Sequence, residues 1–236
     1  MSEKRGSAIL PGIAGGVVGA LVTAALLLLA APQLVGTRIV RQGLLADPQI
    51  LVETSDKLRD RQYEPALAAN RAAIETPFGS SWRGAARPDV VLVEYYDYAC
   101  PYCKASNPHL ERLLNDDKGL RVVYKELPIL GEASVIAARM SLAASKAGRF
   151  RQFYDAQWAA GRPAPETVAA AAKAAGIPMV LPNDPAIEAE LKSNMQVAGQ
   201  LGATGTPLFI VGNRVLNSAV GYETLRDAIA AARADS

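Results

Sequence analysis

Both cysteines of this 236-residue chain stand in one tetrapeptide, Cys100-Pro101-Tyr102-Cys103. It follows directly on a strand-like run, Val90-Val91-Leu92-Val93-Glu94-Tyr95-Tyr96. A strand that turns into a helix here sets Cys100 at the helix N-terminus, exposed at the helix end. There the free N–H groups and the positive end of the helix dipole stabilise a thiolate. Pro101 suits the first helical position, because its missing N–H costs nothing there. Cys103 follows one turn further in. An attacking sulfur with a second sulfur within reach is the layout of a dithiol–disulfide redox centre. A tetrahedral metal site needs about four ligands, and beyond the pair the chain supplies a single histidine, His109. The pair is therefore read as redox chemistry, with neither metal nor cofactor expected.

The rest of the composition narrows the field. Hydrophobic residues make up 50% of the chain, charged ones 20%, and the net charge is +2. This is the composition of a globular protein without a nucleic-acid surface, and two cysteines give no structural disulfide framework. From Gly6 to Thr37 there is no charged residue, and Ala8 to Ala31 is long and apolar enough for a bilayer span. The rival is a cleaved signal peptide, but Leu28-Leu29-Ala30-Ala31 lacks the small residue that cleavage after either alanine needs. An uncleaved anchor at residues 1–37 is favoured, with the large domain behind it exported.

Residues 38–76 read as a helical stalk. Asp47-Pro48 looks like a helix start, and Leu44, Leu51 and Leu58 stand seven apart, as in an association seam, while Pro48 and Pro65 break the pattern. Pro77 to Pro88 is rich in Gly, Ser and Pro and marks a boundary. Beyond it, strands are expected at Asp89–Tyr96 and Leu120–Leu127, joined by a helix from Pro101 to about Asn115 that Pro108 kinks. Helices follow over Glu132–Ala147, Phe150–Ala160, Glu166–Ala175 and from Pro185 to about Leu201. A hairpin of Pro207–Val211 and Arg214–Leu216 around Gly212-Asn213 and a last helix, Glu223–Ala232, complete the order. The fold class is α/β: βαβ, a block of helices, then ββα.

Two strings carry a family resemblance. Val93-Glu94-Tyr95-Tyr96-Asp97-Tyr98-Ala99-Cys100-Pro101-Tyr102-Cys103-Lys104 resembles the active-site signature of the DsbA-like thioredoxin family, and Gly205-Thr206-Pro207-Leu208-Phe209-Ile210-Val211-Gly212 resembles its cis-proline loop. The resemblance implies a thioredoxin fold over residues 77–236, with a helical insertion at about 130–202. It also implies thiol–disulfide exchange with cysteines of exported proteins, and a membrane redox partner for recycling. The chain would be a single-pass protein of the bacterial inner membrane with its catalytic domain in the periplasm, or a secreted periplasmic protein if the N-terminal segment is cleaved. Val40 to Gln62 resembles the stalk of the copper-sensitivity suppressor ScsC branch, which implies a homo-oligomer, a trimer, and isomerase activity.

By the same resemblance Cys100 attacks and Cys103 resolves, while Pro101 and Tyr102 tune the redox poise. The Thr206 backbone pairs with an extended substrate beside Pro207. Glu94, costly in an apolar strand unless partnered, is placed beneath the cysteines to shuttle a proton, with Lys125 on the neighbouring strand as its partner. Tyr102, where many oxidases of the family carry histidine, and Thr206, where the oxidase has valine, both point away from a strong oxidant. Two alternatives stand beside the main reading: a dedicated oxidase recycled by a quinone-linked membrane partner, and a membrane-tethered chaperone or binding module.

Overall fold

A computed structural model describes residues 36–235. The apolar span Ala8–Ala31 of the expected membrane anchor lies before these and so outside the described part. Among the described residues no helix is long and apolar enough to cross a membrane. The described residues divide into two compact units, one up to Leu58 and one from Arg59 onward.

In the first unit, helix α1 occupies residues 36–46. The turn at Asp47-Pro48 starts α2 (Gln49–Glu75), and the Asp47 carboxylate accepts the Gln49 N–H at 3.1 Å, as a helix cap should. Ile39, Val40, Leu45, Ile50, Leu51, Val52 and Leu58 are all exposed. Contrary to expectation, Pro65 does not interrupt α2. It faces solvent, where water can hydrate the carbonyl that its ring leaves without a donor.

The second unit is built on a five-stranded sheet. Its strands are β1 (Trp82–Gly84), β2 (Val90–Tyr96), β3 (Leu120–Glu126), β4 (Leu208–Val211) and β5 (Arg214–Leu216), in spatial order β1-β3-β2-β4-β5. β2 and β3 are parallel, joined by α3 (Pro101–Asp116), and the other pairings are antiparallel. Their near-continuous Val, Leu and Tyr content suits strands covered on both faces. Strand β1 was not expected: three residues in a Gly/Ser/Pro-rich stretch are too few to show a period of two. At the β4–β5 turn, Gly212 has φ +55°, and a Cβ there would meet the Ala232 side chain at 2.9 Å. Only glycine fits.

Each face of the sheet has its own core. On one, Leu92, Tyr96, Val122, Tyr124, Phe209 and Val211 pack beneath α3, α4 (Glu132–Lys146), α5 (Phe150–Ala160), α6 (Pro165–Ala175) and α8 (Tyr222–Ala234). On the other, Val93, Tyr95, Val123 and Ile210 meet Val197 and Leu201, at the end of α7 (Pro185–Gln200), and Leu67 and Ile74 of α2. The later half of the segment read as stalk is thus part of this unit. Leu67 and Ile74 are fully buried, each contributing roughly 1.5–3 kcal/mol, and Arg71 reaches the Gly212 carbonyl at 2.6 Å.

Candidate active site

Cys100 is the N-cap residue of α3, with extended backbone dihedrals, and Pro101 is the first residue of the helix. The turn before it is tied down by Asp97. This buried carboxylate accepts the Ala99 N–H at 2.7 Å through one oxygen, and the N–H groups of Ile129 and Leu130, both at 2.9 Å, through the other. The strand-to-helix turn is therefore bonded to the turn that follows β3.

The Thr206–Pro207 peptide is cis, as the resemblance implied. Pro207 stands immediately before β4, and β4 pairs with β2, which delivers this loop to the end of the strand that carries the cysteines. The Cys100 thiol donates to the Thr206 carbonyl at 3.1 Å. That contact corrects one expectation. Cys100 does not stand free at the helix end but is only 4% exposed, because the cis-proline loop covers it. Pro101 and Tyr102 are the exposed members of the tetrapeptide, Tyr102 at 65%. Cys103 is fully buried, and burial first, then the neighbouring Glu94 charge, push its thiol far above the ordinary range.

Glu94 lies on β2, fully buried, and neither carboxylate oxygen has a hydrogen-bond partner. Burial, with a smaller contribution from the charge of Cys100, raises its pKa to about 8. The expected partnership with Lys125 does not form. The parallel register sets Glu94 beside Tyr124 and Tyr95 beside Lys125, so the two side chains emerge on opposite faces of the sheet. Lys125 instead donates to the Thr76 carbonyl at 2.8 Å and to Glu190 at 2.9 Å, behind the sheet and away from the cysteines.

A second buried carboxylate, Glu126, shares the face of Glu94 and was not anticipated. Burial raises its pKa to about 8 as well. Tyr96 donates to it, the Tyr96 and Tyr98 hydroxyls are 3.0 Å apart, and Tyr98 is 3.0 Å from the Ser141 hydroxyl. The same logic that singled out Glu94, a carboxylate in an apolar strand, would have found it. Tyr96 and Tyr98 stack edge-on at 5.0 Å within an aromatic cluster that includes Tyr124, Tyr154 and Trp158. The tyrosines are core residues, though Tyr98 also forms one wall of a cavity beside Cys100. The site thus joins Cys100, Pro101, Tyr102, Cys103, Glu94, Thr206 and Pro207 and leaves Lys125 outside. Its sulfur pair, cis-proline carbonyl and buried carboxylate have the parts that thiol–disulfide exchange requires.

Comparison with known proteins bears on the same region. The family described as DSBA-like thioredoxin domain matches residues 91–230. A thioredoxin-like oxidoreductase from Silicibacter pomeroyi DSS-3 is 33% identical, with a TM-score of 0.65 over 71% of this chain and 99% of that one. A periplasmic thioredoxin-like protein from Salmonella enterica serovar Typhimurium is 30% identical, with a TM-score of 0.63 over 70% of this chain and 95% of that one. Proteus mirabilis ScsC in a transitional conformation is 27% identical, with a TM-score of 0.66 over 88% of this chain and 97% of that one. Among curated proteins, the Na(+)/H(+) antiporter NhaA 1 of Salinispora arenicola is 35% identical over 75 residues. That match spans 31% of this chain and 12% of the antiporter's length, so it concerns a segment of each protein.

Proposed function

This chain belongs to the DsbA-like thioredoxin family of thiol–disulfide oxidoreductases, and from that premise we propose that it exchanges disulfides with the cysteines of extracytoplasmic proteins. Cys100 is the attacking sulfur and Cys103 the resolving one. The observation that carries this reading is Cys100 at the start of α3, 3.1 Å from the carbonyl before a cis-proline, with Cys103 buried one turn behind it. The first sulfur stands at the helix N-terminus, while burial keeps the second protonated until it is needed.

When the protein acts as a reductant or in the first half of an isomerisation, the Cys100 thiolate attacks a substrate disulfide. A mixed disulfide forms and one substrate thiolate leaves. The ionised fraction of Glu94 takes the Cys103 proton, Cys103 attacks the Cys100 sulfur, and the second substrate sulfur departs as a thiol with the proton that Glu94 gives back, leaving a Cys100–Cys103 disulfide. Two electrons pass to the substrate. Oxidation is the reverse. The extended substrate lies against the Thr206–Pro207 loop, where main-chain groups offer strand-like pairing. An extracytoplasmic location, by the N-terminal apolar segment as anchor or as signal, is in keeping with the periplasmic Salmonella relative. The exposed apolar residues of α1 and early α2 form the surface for self-association.

Refolding of a scrambled disulfide protein tests the proposal. The full chain should restore native pairings, Cys100→Ala should abolish this, and Cys103→Ala should accumulate the mixed disulfide. Oxidation without reshuffling would make the chain a dedicated oxidase instead. Undiminished assistance by Cys100→Ala would make it a chaperone.

A further inference from the structure

Beside Cys100 is a cavity of about 260 Å³ whose lining includes neither Thr206 nor Pro207. Tyr98, Ala99 and Trp158 give it an apolar floor, and Cys100 and Pro101 form one edge. Its rim carries two exposed cations, Lys104 from the first turn of α3 and Arg162 from the turn between α5 and α6. Neither side chain has an ion-pair partner among the described residues, although most other arginines of this unit are paired with carboxylates. No acidic residue lines the cavity. The volume is that of a single large side chain and lies below the range of ordinary small-molecule sites.

We infer that this cavity is a specificity subsite, which takes a large apolar side chain adjacent to the reacting cysteine of a polypeptide substrate and pairs Lys104 and Arg162 with an acidic residue next to it. Three features of the cavity favour this occupant. The cavity opens at the attacking sulfur, so whatever fills it is held at the reaction. Its floor is aromatic, which rewards burial of an apolar group. Its rim is positive on both sides, which rewards a carboxylate and penalises a lysine or arginine. The inference rests on the exchange reaction proposed above and names the substrates that reaction prefers.

The test uses the full chain in its reduced form and three disulfide-linked peptide homodimers with blocked ends: Glu-Phe-Cys-Phe-Glu, Lys-Phe-Cys-Phe-Lys and Glu-Gly-Cys-Gly-Glu. Each dimer is cleaved through the mixed disulfide with Cys100, and Cys103 then releases the second peptide thiol. Symmetric sequences remove any dependence on which side of the cysteine meets the cavity. Each rate is divided by that of dithiothreitol on the same dimer, which removes the intrinsic effect of the flanking charges on the sulfur. Bis(2-hydroxyethyl) disulfide serves as a neutral substrate without flanks.

The acidic aromatic dimer should react roughly fivefold faster than the basic one, the effect of two exposed ion pairs, and faster than the glycine dimer as well. At about 1 M salt the charge preference should fade. In Lys104→Glu, in Arg162→Glu and in the double variant the ratio of acidic to basic rates should fall to one or invert. Equal normalised rates for the three dimers while the neutral disulfide is still reduced would overturn the subsite and leave the exchange reaction standing. A preference that survives both charge reversals would overturn it too. Failure to reduce even the neutral disulfide would bring down both.

Discussion

Glu94 shows how one buried side chain makes stability depend on pH. In the folded chain its carboxyl keeps a proton up to about pH 8, whereas the unfolded chain releases it near 4.5. Across that window the native state binds the extra proton, so stability falls as pH rises, by about 1.4 kcal/mol for each pH unit. Glu126 adds a slope of the same sign. Glu94→Gln in the reduced protein should therefore match the unmutated chain in urea near pH 4.5 and exceed it at pH 8. Parallel stability curves would show that Glu94 keeps no proton of its own. The position of Glu94 in the sequence, six residues before Cys100 in an apolar run, was enough to mark it. Its neighbours were not legible, because a shift of one residue in strand register moves every side chain to the other face. That parity is what separates Glu94 from Lys125 and joins it to Glu126.

At the scale of elements, Lys125 is a clamp and not a tuner of the cysteines. It is 2% exposed and bonds β3 to Glu190 of α7 and to the Thr76 carbonyl after α2. Lys125→Met would leave Glu190 and that carbonyl without their cation. The expected cost is about 3 kcal/mol by urea denaturation, with the rate of reduction of a neutral disulfide unchanged. A lower rate at unchanged stability would restore Lys125 to the active site. The long helices were legible because their apolar spacing repeats: α5 was expected at Phe150–Ala160 and lies there. So was the hairpin, through Gly212-Asn213. The three residues of β1 were not, and neither was the continuity of α2 through Pro65, since local preference says nothing of which side of a helix faces water.

At the scale of the molecule, composition placed a boundary near Pro77, but packing places it near Arg59. Linker-like residues mark where a chain bends. They do not mark where burial ends. A chain beginning at Arg59 should be a folded monomer in sedimentation, and one beginning at Gly36 should associate through the apolar residues of α1 and early α2. A chain beginning at Pro77 strips Leu67 and Ile74 from the sheet and should lose several kcal/mol of stability, since each large-to-small core deletion costs roughly 2–5 kcal/mol. A stable domain from Pro77 onward would refute the packing boundary. Asp97 links regions of the same unit at shorter range. One carboxylate holds the amides of Ala99, Ile129 and Leu130. Three protons, two of them some thirty residues from the third, are therefore sheltered from solvent exchange by a single side chain. When that side chain swings away, all three are released in one event, so the clock of the turn before Cys100 is also the clock of the turn that leads into the helical block.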